Sequence, residues 1–236
     1  MTYNELCNKY GTDKGNKFPN GNCYAEFYEN WFKNIKNSCE KILEIGIDFG
    51  GSLMANYEYF QNSEILALDI EDKKFLDNDR ITTYVLDQNN LNEIDLFYQT
   101  LKKENIEFDL IIDDGSHIVS HQQKTFGKFF KLLKPGGLYI IEDLGSSYFT
   151  YGTELYGYSI TQEFIKNDTV SFLNERPFYS PWIFENDLTY INKNVEYVTI
   201  FDKINESIEY SYHFESVNKQ PIRSITSIIK KKNNSV

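Results

Sequence analysis

Cysteine, basic charge and long apolar runs are what this chain of 236 residues is short of. Its three cysteines (Cys7, Cys23 and Cys39) cannot close a full disulfide framework, and none shares a CxxC spacing. Reduced thiols are therefore expected, rather than cross-links or zinc. Lys and Arg number 24 against 35 Asp and Glu, a formal charge of −11. A nucleic-acid binder needs a basic face to displace counterions. The one dense basic run, KKK at 230–232, reads as a solvated end after the last strand. No apolar stretch approaches the roughly 20 residues of a membrane helix, and the opening MTYNELCNKYGTDKG lacks the character of a signal peptide. The expectation is a cytoplasmic protein with neither nucleic acid nor membrane as partner.

Hydrophobic residues at 41% and aromatics at 16% suffice for one sizeable core and exclude disorder. No internal repeat, low-complexity tract or linker divides the chain. Residues 1–38 read as an N-terminal annex with a helix at 24–35, and 39–236 as the main domain. Short apolar runs at 41–47, 64–70, 81–87, 108–114 and 138–143 read as strands. They alternate with amphipathic helical segments at 52–60, 91–104 and 119–133, the last stopped by KPGG. That rhythm predicts an α/β fold, a doubly wound, mostly parallel sheet of seven strands with helices on both faces. Residues 145–190 break it with an aromatic, loop-rich stretch expected to line a pocket. Strands are expected again at 195–201, 207–214 and 224–232, partly antiparallel.

Acids gather at the strand ends. LEIGIDFGGS (43–52) joins the first strand to a helix through Gly46, Gly50 and Gly51, where backbone can turn sharply and approach a ligand. Glu44 inside that strand would repel a diphosphate and suits an ammonium or sulfonium group instead. Asp69 ends the second strand, where an acid accepts hydrogen bonds from a ribose diol. Asp87 and Gln88 end the third, placed to meet an adenine edge. Any one of these could be a capping acid, but three at successive strand ends point to a positively charged adenosine derivative.

Together, ExG with its Gly-Gly pair, LALD, DQ, FDLIIDDGSH, LKPGG and IED resemble the class I S-adenosylmethionine-dependent methyltransferases. KYGTDKG (9–15), DDGSH and LKPGGLYIIEDLGSSYF are similar, more narrowly, to the magnesium-dependent sugar O-methyltransferases of the mycinosyl and rhamnosyl tetracenomycin type, a group related to cephalosporin-hydroxylase-like proteins. The resemblance covers residues 4 to 150 well and the remainder in outline. It implies a Rossmann-like methyltransferase fold, S-adenosyl-L-methionine and Mg2+ as cofactors, and a sugar-containing small molecule as acceptor. The cofactor set becomes Glu44, Gly46, Ser52, Asp69, Asp87 and Gln88, with Asp113 either in that set or orienting its loop.

The fourth and fifth strands should be neighbours about 5 Å apart, so Asp114, Glu142 and Asp143 converge on one point. Three carboxylates without cysteine make a hard oxygen site, which favours magnesium (or calcium by substitution) over zinc. In the resembled family these positions hold the metal, and the metal holds two adjacent hydroxyls of the acceptor. His117 matches the family's general base. His121, four residues on, reads as a helix residue near the site, and His213 as a strand residue. Tyr148 matches a family position near the acceptor, though aromatic packing would explain it as well. Asp48 departs from the family where a second glycine is usual, and Gly145 where a bulkier polar residue is. Two rival readings stay open: a metal-dependent oxidoreductase on the same fold, and a binding protein that lost catalysis. Self-association of the chain is left open too.

Overall fold

The computed structural model describes residues 1–19, 21–144, 182–205 and 222–233. The strands are β1 (Lys41–Ile45), β2 (Glu64–Asp69), β3 (Ile81–Val85), β4 (Phe108–Asp113), β5 (Leu133–Ile141), β6 (Val195–Asn205) and β7 (Ile222–Lys231). They form one sheet in the order β3-β2-β1-β4-β5-β7-β6. The first five run parallel, and β7 is antiparallel to both β5 and β6. Chain order reverses between β1 and β4. In open α/β sheets, ligands sit outside the carboxyl ends of the strands at such a switch point.

The helices are α1 (Tyr3–Tyr10), α2 (Ala25–Ile35), α3 (Gly51–Tyr59), α4 (Leu91–Lys103), α5 (Val119–Phe129) and α6 (Glu185–Asn194). Period-two alternation along the buried strands feeds two cores. Ile42, Ile65, Leu110, Ile112 and Ile140 pack with Leu6 of α1, Tyr28 and Phe32 of α2, and Leu53 of α3. Leu43, Leu66, Ile111, Tyr139 and Ile141 pack with Ile94 of α4, Phe126 of α5, and Leu188 of α6. The sheet is thus wound on both faces, and the first 38 residues share a core with it. Thr2 and Glu5 close a capping box on α1, which satisfies orphan N–H groups of its first turn.

Several boundaries differ from the sequence reading. α5 stops at Phe129, a 3-10 turn covers Phe130–Leu132, and β5 starts at Leu133, so KPGG lies inside the strand. The pairing of β4 with β5 shifts register between Phe108 and Leu110, which accommodates the Pro and Gly residues. α1 was not expected, and α6 overlaps a stretch expected to be loop, because Leu188 and Ile191 at helical spacing bury against the core. The expected strand at 207–214 lies outside the described residues, as do 145–181 with Gly145 and Tyr148, and His213. Cys7, Cys23 and Cys39 are free thiols, and burial pushes Cys7 and Cys39 up to about 12. Among the described residues, no helix is long and apolar enough to cross a membrane.

Candidate active site

The turn after β1 is built around Gly46, whose φ is +88°. A Cβ there would stand 2.1 Å from the Asp114 carbonyl oxygen, so only glycine lets the ends of β1 and β4 close on each other. The Asp114 N–H donates to the Ile45 carbonyl at 2.9 Å and completes that junction. Asp48 takes a left-handed φ of 48°, so it follows the path a glycine would take. Asp69 holds the turn from β2: its Oδ2 accepts from the Ile47 and Asp48 N–H groups at 2.8 and 3.2 Å. Its Oδ1 accepts from the Glu71 N–H at 2.9 Å, and the carboxylate stays half-buried at the cleft edge.

Glu44 and Ser52 do not open onto the cleft. Glu44 is fully buried, and the Ser52 hydroxyl donates to its Oε1 while Asn56 Nδ2 donates to its Oε2 at 2.8 Å. Asn56 Oδ1 in turn accepts from the Tyr3 hydroxyl at 2.9 Å. Burial pushes the Glu44 carboxyl up, and the Ser52 and Asn56 hydrogen bonds oppose that. Its two oxygens tie β1 to α3, and Asn56 extends the chain of hydrogen bonds to α1.

A similar buried chain sets the loop after β4. Gln88 Nε2 donates to Asp113 Oδ1 at 2.9 Å, and Gln88 Oε1 accepts the Ser116 N–H at 2.8 Å. The Thr125 hydroxyl of α5 donates to Asp113 Oδ2 at 2.5 Å. Asp113 is fully buried, and burial raises it to about 6 against the pull of the Thr125 and Gln88 hydrogen bonds. A Cβ on Gly115 would sit 2.2 Å from Gln88 Oε1. Gln88 thus links Asp113 to the backbone of the loop. Asp87 is half-buried at the end of β3, and its Oδ1 accepts the Asn89 N–H at 2.7 Å.

Beyond this loop the acids converge. Ligand atoms of Asp114, His117 and Asp143 lie within 4.8 Å of one another. His117 Nε2 is 3.6 Å from Asp143 Oδ2, and its Nδ1 is 4.0 Å from Asp114 Oδ1. Both His117 and Asp143 hold left-handed backbone, with φ of 57° and 53°. Glu142 is fully buried; its Oε1 accepts no hydrogen bond, and its Oε2 meets only an ammonium, that of Lys14. Burial and then the Asp114 charge push it well above the usual carboxylate range, with Lys14 opposing. His121 lies apart, its Nδ1 at 2.9 Å from the Ser116 hydroxyl.

Lys14 joins the cluster with no warning from strand or helix patterning. Its side chain is 2% exposed, and its Nζ lies 2.5 Å from Asp114 Oδ2, 3.1 Å from Glu142 Oε2 and 3.8 Å from Asp13 Oδ1. Burial pulls its pKa down, but the Asp114, Glu142 and Asp13 charges outweigh that and keep it protonated. The same N-terminal segment supplies two more contacts. Tyr24 OH and Asn22 Nδ2 donate to Asp143 Oδ1 at 2.8 and 2.9 Å, and Asn22 also reaches Asp13 Oδ2 at 2.8 Å. The only sequence signal for Asp13 and Lys14 was the KYGTDKG match, and Asn22 and Tyr24 lie outside it.

No family model matches the chain. A demethylmacrocin O-methyltransferase of Streptomyces fradiae is 38% identical over 155 residues, which cover 61% of this chain and 37% of the relative. An 8-demethyl-8-(2-methoxy-alpha-L-rhamnosyl)-tetracenomycin-C 3'-O-methyltransferase of Streptomyces olivaceus is 35% identical over 132 residues, covering 53% and 33%. Among solved structures, the MycE methyltransferase from the mycinamycin biosynthetic pathway, in complex with Mg, SAH and mycinamycin VI, matches with a TM-score of 0.70. That match, at 24% identity, covers all of this chain and 56% of MycE, and it concerns the fold. The matched stretches span 37% and 33% of these relatives' own lengths, so the chain matches less than half of each. By sequence it is a homologue of the sugar O-methyltransferases of macrolide and tetracenomycin pathways, and its seven-stranded sheet is the Rossmann-like methyltransferase fold.

Proposed function

We propose that the chain is an S-adenosylmethionine- and magnesium-dependent O-methyltransferase acting on a sugar hydroxyl. The acceptor class is a nucleotide sugar, a polysaccharide precursor or a glycosylated natural product. One observation carries this reading: Asp114, His117 and Asp143 converge at the carboxyl ends of β4 and β5, beside the glycine turn of β1. The donors suit magnesium, being carboxylate oxygens without a thiolate, and Glu142 brings a buried Oε1 that accepts no hydrogen bond. Asp114, Glu142 and Asp143 would hold the ion. Bound S-adenosylmethionine supplies a methyl group on sulfonium, and bound magnesium lowers the pKa of a neighbouring hydroxyl.

The chain's own residues do the rest. Gly46 and the Asp69-held turn shape the bed for the cofactor, their N–H groups being donated within the turn, and Asp69 and Asp87 keep partly open carboxylates for its ribose and adenine. Glu44, Ser52, Gln88 and Asp113 hold those elements in place from the interior. His117 takes the acceptor hydroxyl proton on a ring nitrogen, and Asp143 and Asp114 favour the imidazolium that results. Tyr24 and Asn22 fix Asp143 Oδ1, which leaves Oδ2 toward His117.

A hydroxylase reading would need a second histidine for the usual iron set of two histidines and one carboxylate. Among the described residues the cluster contains one histidine, with His121 turned to Ser116. The test is a mass-spectrometric screen of sugar nucleotides and glycosides with S-adenosylmethionine and magnesium under anaerobic conditions. A mass gain of one CH2, lost with EDTA, is the expected result. Turnover that needs oxygen, or full activity after exhaustive chelation, would overturn it.

A further inference from the structure

Buried lysines are rare because burying an ammonium costs several kcal/mol unless it is well paired. Lys14 is sequestered between the loop that follows α1 and the ends of β4 and β5, 100 residues from its partner Asp114. Its backbone is anchored, with the Ala25 N–H donating to the Lys14 carbonyl at 2.9 Å. A purely structural ion pair would balance one charge against one. Here a single ammonium faces Asp114, Glu142 and Asp13, and Asp143 lies beyond His117, so the cluster stays acid-rich after Lys14 is counted. Glu142 Oε1 has no hydrogen-bond partner, and Oε2 has only the Lys14 ammonium at 3.1 Å.

We propose that Lys14 is the built-in counter-ion of this site: its ammonium holds Asp114 and Glu142 together when no divalent ion is bound, and its charge keeps a bound ion exchangeable. This rests on the metal reading above. Two carboxylates facing each other, one of them fully buried, would otherwise repel and spread. With Lys14 between them the site is preformed, and an arriving ion meets oriented oxygens. The cost is like-charge repulsion between ammonium and ion at short range, which weakens binding.

The test uses the full chain and Mn2+ alone, with affinity read by electron paramagnetic resonance and Tm read with and without the ion. Lys14→Met keeps much of the side-chain length and removes the charge. Lys14→Gln is the second variant, because its amide can still donate to Asp114. In either variant Mn2+ should bind at least about tenfold tighter than in the wild type, the scale expected for removing a unit charge near a divalent ion. The Tm without metal should fall, and Mn2+ should raise it more than in the wild type. A variant that folds only with Mn2+ present supports the proposal equally. Mn2+ affinity unchanged or weaker in the folded variants overturns it, and so does failure of both to fold in saturating Mn2+. The wild type reports separately on the metal reading: binding there with unaltered variants sinks only the counter-ion role. Absence of binding in every protein sinks both.

Discussion

Replacing Asn56 by Ala tests whether Glu44 is a support or a ligand. Asn56 is fully buried and links the Tyr3 hydroxyl at 2.9 Å to Glu44 Oε2 at 2.8 Å. Deleting its amide strands one buried hydroxyl, at a cost of about 1–3 kcal/mol, and removes a hydrogen bond to a charged group worth about 1.5–3 kcal/mol. Protonation of Glu44, already pushed up by burial, limits the second loss, so about 3–4 kcal/mol is expected. At about 2–4 °C per kcal/mol for a chain of this size, Tm should fall by about 6–16 °C. The pH dependence has a definite sign. A buried acid whose folded pKa is raised contributes stability that is full below the usual carboxylate value and lost as pH rises through the folded pKa. Losing the Asn56 donor raises Glu44 further, so the penalty should be smaller at pH 4 than at pH 7.5. Tyr3→Phe should cost less, and the double variant should cost less than the sum, because both remove the same Tyr3–Asn56 bond. Urea denaturation followed by circular dichroism measures all three. A loss under about 1 kcal/mol for Asn56→Ala, or strict additivity, would refute the buried chain. A separate early transition for the first 38 residues would refute their shared core with the sheet.

The remaining expectations concern turnover and binding. His117→Ala should lower kcat by roughly 10²–10⁴-fold, the usual contribution of a positioned general base, with little change in cofactor affinity. His121→Ala should cost far less, and a larger loss there would move the base elsewhere. Asp114→Asn or Asp143→Asn should abolish methyl transfer while S-adenosylmethionine binding by calorimetry largely survives; loss of that binding instead would put these acids in the cofactor site. Asp69→Ala should weaken cofactor binding by about 1.5–3 kcal/mol, and more if the turn it holds collapses. Unchanged affinity in folded protein would reject Asp69 as the ribose partner.

The parallel sheet was legible because its strands are buried on both faces and read as short, almost continuous apolar runs: KILEI, EILALD, FDLIID. Acids ending such runs also stand out, which is why Asp114, His117 and Asp143 could be named before any coordinate. Burial depth was not legible. Glu44 and Asp69 look alike as acids beside a turn, yet one is sealed behind Ser52 and Asn56 while the other stays half-buried. The difference lies in partners eight and twelve residues away on α3, and nothing in the turn's own composition encodes it. Lys14 was harder still. It sits in a loop without periodicity, and its acids are distant in sequence, so only the folded chain brings them together. α6 was missed because its buried positions are few and the preceding ERPFYSPW masks the change of rhythm.

Backbone conformation ties these observations to the site. Among the described residues, five non-glycine positions hold a positive φ: Cys23, Asp48, Asn105, His117 and Asp143. Asn105 follows α4, where asparagine adopts this conformation readily. The other four lie in or next to segments already described at the carboxyl ends of the strands. His117 and Asp143 are in the acidic cluster, Asp48 is in the glycine turn, and Cys23 stands between Asn22 and Tyr24, which hold Asp143. Each such residue costs on the order of 1 kcal/mol that glycine would not. At Asp48 and Cys23 the side chains add little visible contact, so their strain follows from the path the chain must take. At His117 and Asp143 glycine would relieve the strain but delete the imidazole and the carboxylate that face each other at 3.6 Å. Under the proposed function that strain is retained because the imidazole and the carboxylate would carry the chemistry, and His117→Gly should then raise stability while it removes turnover.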